Sequence, residues 1–246
     1  MRLSDKLTAL SRHDVDITVV AKSTLELFEI EADAFIESLV DTFHPTHIVE
    51  GSTFGFGRGR RGTAETLVSL ASSFGCTVHI VDPITLQLGD GRTELVSSSL
   101  IRRLIAAGKV EDAQRCLGRP YVLTGQVVSG DGRGRQIGFP TANVAAAEQL
   151  IPADGVYAGR AAVRRTDVGG MTYRCAISIG NTPTFGGQRR RIEVHLLDFD
   201  ESIYGLSIRV EFERFLRPQV TFESPDALVR QLHRDVEDVA RQHSKG

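Results

Sequence analysis

The chain has 246 residues, 41% hydrophobic and 24% charged, a balance that excludes an intrinsically disordered chain. Its net charge of −2 excludes a global attraction to nucleic acid or anionic membrane, so any anion site must come from a local basic cluster. The three cysteines, Cys76, Cys116 and Cys175, show no C-x-x-C spacing, and reduced thiols in a cytoplasmic protein are expected.

No signal-peptide pattern stands at "MRLSDKLTAL", and no apolar run reaches bilayer length. Strand-like and helix-like segments then alternate up to about Gly118. "DITVVA" (16–21), "HIVEG" (47–51) and "TVHIVD" (77–82) read as short apolar strands. Between them, one helix is expected to present Phe35, Leu39 and Phe43, and a second Leu67, Leu70 and Phe74. A third follows "SSS", with Leu100, Leu104 and Ile105 at helical spacing. Strand–helix alternation predicts a parallel α/β sheet.

Beyond "LGRPY" the pattern becomes all-β. "YVLTGQVVS", "GVYAGRAAV", "YRCAISIG", "RIEVHLLDF" and "LSIRVEFERFL" are separated by Gly- and Asp-containing turns, which suits an antiparallel barrel or sandwich. A last helix starts at an N-cap, Ser224, with Pro225 at its first position. Its stripe of Leu228, Leu232, Val236 and Val239 is expected to lie on the barrel. The boundary falls near Cys116 to Pro120, giving parts 1–117 and 118–246.

"GDGRGRQIGFPTAN" (130–143) concentrates glycine and arginine ahead of a Pro-Thr-Ala-Asn. It matches neither G-x-x-x-x-G-K-[ST] nor G-x-G-x-x-G. Thr141 and Asn143 leave one face of an extended segment, and two neutral oxygens there suit Mg²⁺ alongside phosphate. Upstream glycines allow backbone N–H groups close to a phosphate, with Arg133 or Arg135 adding charge. A Gly-rich hairpin turn followed by a turn-forming PTAN explains the same residues. In "RRIEVHLLDF", Ile192, Val194 and Leu196 alternate inward, so Glu193 and His195 face out together. Glu193 suits a base for an attacking alcohol, although the pattern alone favours an ordinary solvated face.

"GQVVSGDGRGRQIGFPTANV", "GVYAGRA", "IGNTPTFGG", "RIEVHLLDFDESIYG" and "FLRPQVTFESPDALVRQLHRDV" together resemble the riboflavin kinase domain of bacterial bifunctional riboflavin kinase/FAD synthetases. The resemblance runs from about Gly118 to Asp235. It implies a split antiparallel β-barrel with a C-terminal helix, transferring the γ-phosphate of ATP to riboflavin to give FMN. It also implies Mg-ATP at Thr141 and Asn143, and a phosphate cradle of Gly130, Gly132, Arg133, Gly134, Arg135 and Gly138. Glu193 becomes the catalytic base, and the "LRPQVTF" stretch, with Arg217 and Phe222, and the start of the last helix become part of the flavin site. The family often has Glu where this chain has Gln219.

The first half resembles the same family's FMN adenylyltransferase module, a Rossmann-like nucleotidyltransferase. "VEGSTFGFGRGRRG" matches its Gly/Arg loop, with Thr53 before Phe54 where Asp is usual. "VSSSLIRRL" matches its S-S-T-x-I-R helix, implying Ser98, Ser99 and Arg102 on ATP phosphates at a helix N-terminus. The chain begins after the family's H-x-G-H loop, and "HPTH" (44–47) lacks the glycine and context to replace it. Adenylyltransferase activity from this polypeptide alone is therefore not expected. A sheet without its first β-α unit is expected to expose an edge or to bury it in another chain, as in a homo-oligomer. The alternatives are the complete bifunctional activity, with the missing segment supplied by a longer parent chain, a non-catalytic flavin-binding module and, last, nucleic-acid binding through "GFGRGRRG" and "QRRRIEV"; no membrane partner is expected.

Overall fold

The computed structural model describes residues 2–130, 132–146, 149–164, 171–184 and 187–241, with backbone alone for 133, 164, 181–184 and 187–189. It divides into two compact units, one of residues Leu7–Thr85 and the other of Leu86 onward with the first few residues.

Helix α1 (Leu3–Leu10) is split by that division at Leu7; in the first unit α2 (Leu25–Glu29) and α3 (Ala32–Phe43) precede strand β1 (His47–Gly51). Helix α4 (Ala64–Ser73) then leads to β2 (Thr77–Val81), which pairs with β1 in parallel from His47↔Thr77 to Gly51↔Val81. This is the expected β-α-β succession. Thr63 caps α4, its hydroxyl accepting from the Thr66 N–H. The small core joins Ile36, Phe56 and Leu67, with Val40, Ile48 and Val78 against them.

Two expectations change here. Residues 16–21 form no strand: Ile17, Val19 and Val20 are exposed, and the segment pairs with neither β1 nor β2. β-branched residues favour a strand, but a ladder exists only where a neighbour supplies the opposing N–H and C=O groups. In α3 Ile36 is the buried residue, with Ala32, Phe35 and Val40 packed against the core and Leu39 half-buried; of the expected face only Phe43 is exposed, at the last turn. Phe74 likewise lies at the C-cap of α4 and is exposed.

The second unit opens with a hairpin of β3 (Thr85–Gln87) and β4 (Thr93–Leu95), then α5 (Ser98–Ala106) and α6 (Val110–Leu117). Ser97 caps α5 by accepting from the Leu100 N–H, and Leu100, Leu104 and Ile105 are buried as their spacing predicts. Their cluster packs against Tyr121 and Leu150 of the following region.

Strands β5 (Tyr121–Val128), β6 (Ala142–Ala145), β7 (Gly155–Arg164), β8 (Thr172–Thr184), β9 (Gly187–Leu196) and β10 (Ser207–Arg217) close into an antiparallel barrel. Its order is β10-β5-β6-β9-β8-β7, returning to β10. A one-turn helix, α7 (Arg133–Gln136), lies between β5 and β6. Alternation decides what faces inward: Cys175, Ile177 and Ile179 from β8, Ile192, Val194 and Leu196 from β9, and Ile208, Val210 and Phe212 from β10 fill the interior. The final helix α8 (Pro225–Ala240) is capped by Ser224 and packs on the outside of β8 and β7. There Val239 is buried with Ala158 and Leu197. A solvated strand face thus becomes covered, with a gap between barrel and helix.

Candidate active site

That gap is a cleft of about 360 Å³. Its floor is the outward row of the barrel. Asn143 on β6 is the register partner of Glu193 on β9, and Glu193 is in turn the partner of Ser178 on β8. Side chains directly opposite on adjacent strands stand close together, so the three form one polar row, with His195 and Thr141 beside it in the lining.

One wall is the Gly/Arg segment: Gly130, Gly132, Gly134, Arg135, Ile137 and Phe139 line the cleft. It joins the antiparallel pair β5–β6, as a hairpin connection would, and does so through a single helical turn entered through Gly132 at φ 68°. Two glycines answer to close approach rather than to φ. A Cβ on Gly130 would overlap the Asn143 amide, and one on Gly134 would overlap the Phe139 carbonyl oxygen while touching Thr141 Oγ1. The loop is therefore folded directly onto Thr141 and Asn143. A hydroxyl and an amide oxygen under a glycine cradle are hard neutral donors, and this set fits Mg²⁺ shared with phosphate oxygens. Gly138 (φ 84°) is a turn residue outside the cleft lining, and the Arg133 side chain lies outside the described residues.

The opposite wall is α8. Leu228, Leu232 and Val236 line the cleft, so the expected stripe lies on the barrel only at its C-terminal end. Arg217 and Phe222 join this wall, the guanidinium 5.8 Å from the ring centre. Arg217 donates through Nε (2.9 Å) and Nη2 (2.7 Å) to Asp235, a buried carboxylate that also accepts from Gln231. Gln219 donates to Ser178 Oγ (2.9 Å) and to the Ile179 carbonyl (3.0 Å), which an ionised Glu cannot do. Two further hollows adjoin. One is polar, with Asp154, Arg191, Glu193 and Gln219; the other lies beyond Thr141, lined by Val127, Leu196, Phe199 and Tyr204.

Thr141, Asn143, Glu193, Arg135, Arg217 and Phe222 are thus gathered in one place. Ser98, Ser99 and Arg102 are not: they sit at the exposed start of α5, outside this lining. Sequence reading missed Ser178 and Asp235. Ser178 was legible as the outward position between Ile177 and Ile179. Asp235 was legible as the acidic residue interrupting the stripe on α8.

Residues 117–243 match the family model for riboflavin kinase, and residues 1–99 that for FAD synthetase. Over 238 residues the chain is 36% identical to the bifunctional riboflavin kinase/FMN adenylyltransferase of Haemophilus influenzae, covering 96% of this chain and 74% of that relative. This chain belongs to that family. Riboflavin kinase activity in the making of FMN and FAD goes with membership, and ATP and riboflavin are the family's substrates. The bifunctional riboflavin kinase/FMN adenylyltransferase of Listeria monocytogenes is likewise 36% identical, over 96% of this chain and 72% of its own length. A solved structure described as a macrolide-efflux protein from Streptococcus pneumoniae superposes with a TM-score of 0.86 at 32% identity, covering 98% of this chain and 75% of that one. The similarity to that protein is one of fold and sequence, and the efflux description is its own. Among the described residues no helix is long and apolar enough to cross a membrane.

Proposed function

We propose that riboflavin phosphorylation takes place in the cleft between the barrel and α8, with Glu193 as the base and Thr141 and Asn143 as the nucleotide clip. The observation that carries this is the direct pairing of Asn143 with Glu193 across β6 and β9, which puts a clip residue beside the carboxylate. The isoalloxazine ring packs on the apolar wall of Leu228, Leu232 and Val236, and its ribityl chain runs toward Glu193. The triphosphate lies along the Gly130–Arg135 loop, with the base and ribose toward Phe199 and Tyr204.

Glu193 orients the 5′-hydroxyl and takes its proton as the oxygen bonds to the γ-phosphorus. The bond to the bridging oxygen of ADP breaks, and ADP leaves with that electron pair. The transition state is loose, so alignment and charge neutralisation matter more than base strength. Thr141 and Asn143 would hold Mg²⁺, which when bound neutralises charge on the β- and γ-phosphates. Arg135 adds positive charge at the cleft rim. Residues 118–246 form the kinase domain in this reading, and the buried free thiols of Cys76 and Cys175 support a reducing cytoplasm.

The match of residues 1–99 to FAD synthetase favours a second reading, adenylylation of FMN, with Ser98, Ser99 and Arg102 meeting ATP phosphates at the start of α5. One incubation with riboflavin, ATP and Mg²⁺, resolved by chromatography, tests both. FMN alone supports the kinase; FMN followed by FAD supports both activities; bound but unconverted riboflavin would leave a binding module. Glu193→Gln is expected to lower kcat by about 10²-fold, with ATP affinity retained. Wild-type turnover by that variant would remove Glu193 from its role.

A further inference from the structure

We propose that His195 is a positioning residue of the kinase site, its Nδ1–H holding the Pro140 carbonyl and thereby fixing the segment that carries Thr141 and Asn143. The inference rests on reading those two residues as the nucleotide clip.

The β6–β9 ladder pairs Asn143 with Glu193 and Ala142 with Val194. The next antiparallel pair would set Thr141 opposite His195, but the described ladder ends before it. Pro140 has no N–H to donate, so its carbonyl is the group by which this residue can be held. His195 Nδ1 lies 2.8 Å from that oxygen. A carbonyl only accepts, so Nδ1 carries the proton of this hydrogen bond.

The ring is also constrained through its neighbour. Buried Phe139 meets His195 at 5.5 Å and 60°, and meets His233 of α8 at 4.9 Å and 76°. Edge-to-face packing of this kind fixes the relative orientation of the rings. His195 shares the strand face of Glu193, yet its Nδ1 proton is engaged with backbone. It acts through Thr141 and Asn143 rather than on the reacting atoms.

The test exploits a difference between two amides. The Asn Nδ2 occupies nearly the position of Nδ1, whereas the Gln Nε2 reaches nearer that of Nε2. KM and kcat of His195→Asn, His195→Gln and His195→Ala are to be compared, with equilibrium affinity for a non-hydrolysable ATP analogue and thermal unfolding of each. Loss of one hydrogen bond predicts KM for ATP and the analogue Kd raised about tenfold in the Ala and Gln variants, with the Asn variant within about threefold of wild type. Rescue by Gln instead of Asn, or three variants with wild-type affinity, would overturn the proposal. If wild type forms no FMN, the kinase reading falls, while analogue binding still decides the role of His195.

Discussion

Arg217 and Asp235 join the last barrel strand to the last helix through three charge-assisted hydrogen bonds, with the carboxylate almost wholly buried. This pair ties α8, which carries the apolar wall of the cleft, to strand β10. Breaking a buried pair by removing one partner leaves the other charge uncompensated. Asp235→Ala is therefore expected to destabilise the protein by about 3 kcal/mol, read by denaturant unfolding. KM for riboflavin should rise more than KM for ATP, because the wall that moves is that of α8.

Thr141→Ala and Asn143→Ala each remove one neutral oxygen from the clip. Each should weaken ATP affinity about tenfold and move the Mg²⁺ requirement to higher concentration. Binding isotherms at varied Mg²⁺ would check this, and an unchanged Mg²⁺ response in both variants would remove the metal from these residues.

Two glycine substitutions should separate function from folding. At Gly130 a new Cβ meets the end of the Asn143 side chain, which can swing away. Gly130→Ala should therefore impair ATP binding with little change in unfolding temperature. At Gly159 the Cβ meets the Glu211 backbone carbonyl across the β7–β10 ladder, which cannot yield. Gly159→Ala should cost about 2–3 kcal/mol in denaturant unfolding. Equal effects on stability would contradict this division.

Burial pushes the Tyr121 and Tyr157 hydroxyls up to about 12, and each donates to a carbonyl at 2.6 Å, those of Leu150 and Ala153. Their folded-state pKa values lie above the unfolded value of about 10, so the folded state holds these protons more tightly. Their stabilisation is complete below that value and is lost as pH rises through the folded one. The denaturant midpoint should fall between pH 10 and about 12, and Tyr157→Phe should flatten the fall.

Much of the kinase unit was legible because strand alternation is a short-range code. Ile192, Val194 and Leu196 declare an interior, and that leaves Glu193 and His195 outside on one face. How the α8 stripe divides between cleft and core was not legible from the residues, since Leu228, Leu232 and Val236 look the same on a core as on a ligand cleft. Residues 16–21 misled for a related reason: propensity is local, whereas a ladder needs a partner strand that local sequence does not specify. The close approach of Gly130 to the Asn143 side chain, thirteen positions away, was not legible either, because it depends on how the loop folds back.

Strand β6, which carries Asn143, meets its neighbour β9 only at Ala142↔Val194 and Asn143↔Glu193 among the described residues. Such a seam is where local opening and amide exchange should begin in the empty protein. Substrates held by Asn143 on one side and Glu193 on the other would fasten it, and binding to the folded state alone raises its stability. Proteolysis should accordingly be slower for the substrate-loaded protein than for the empty one.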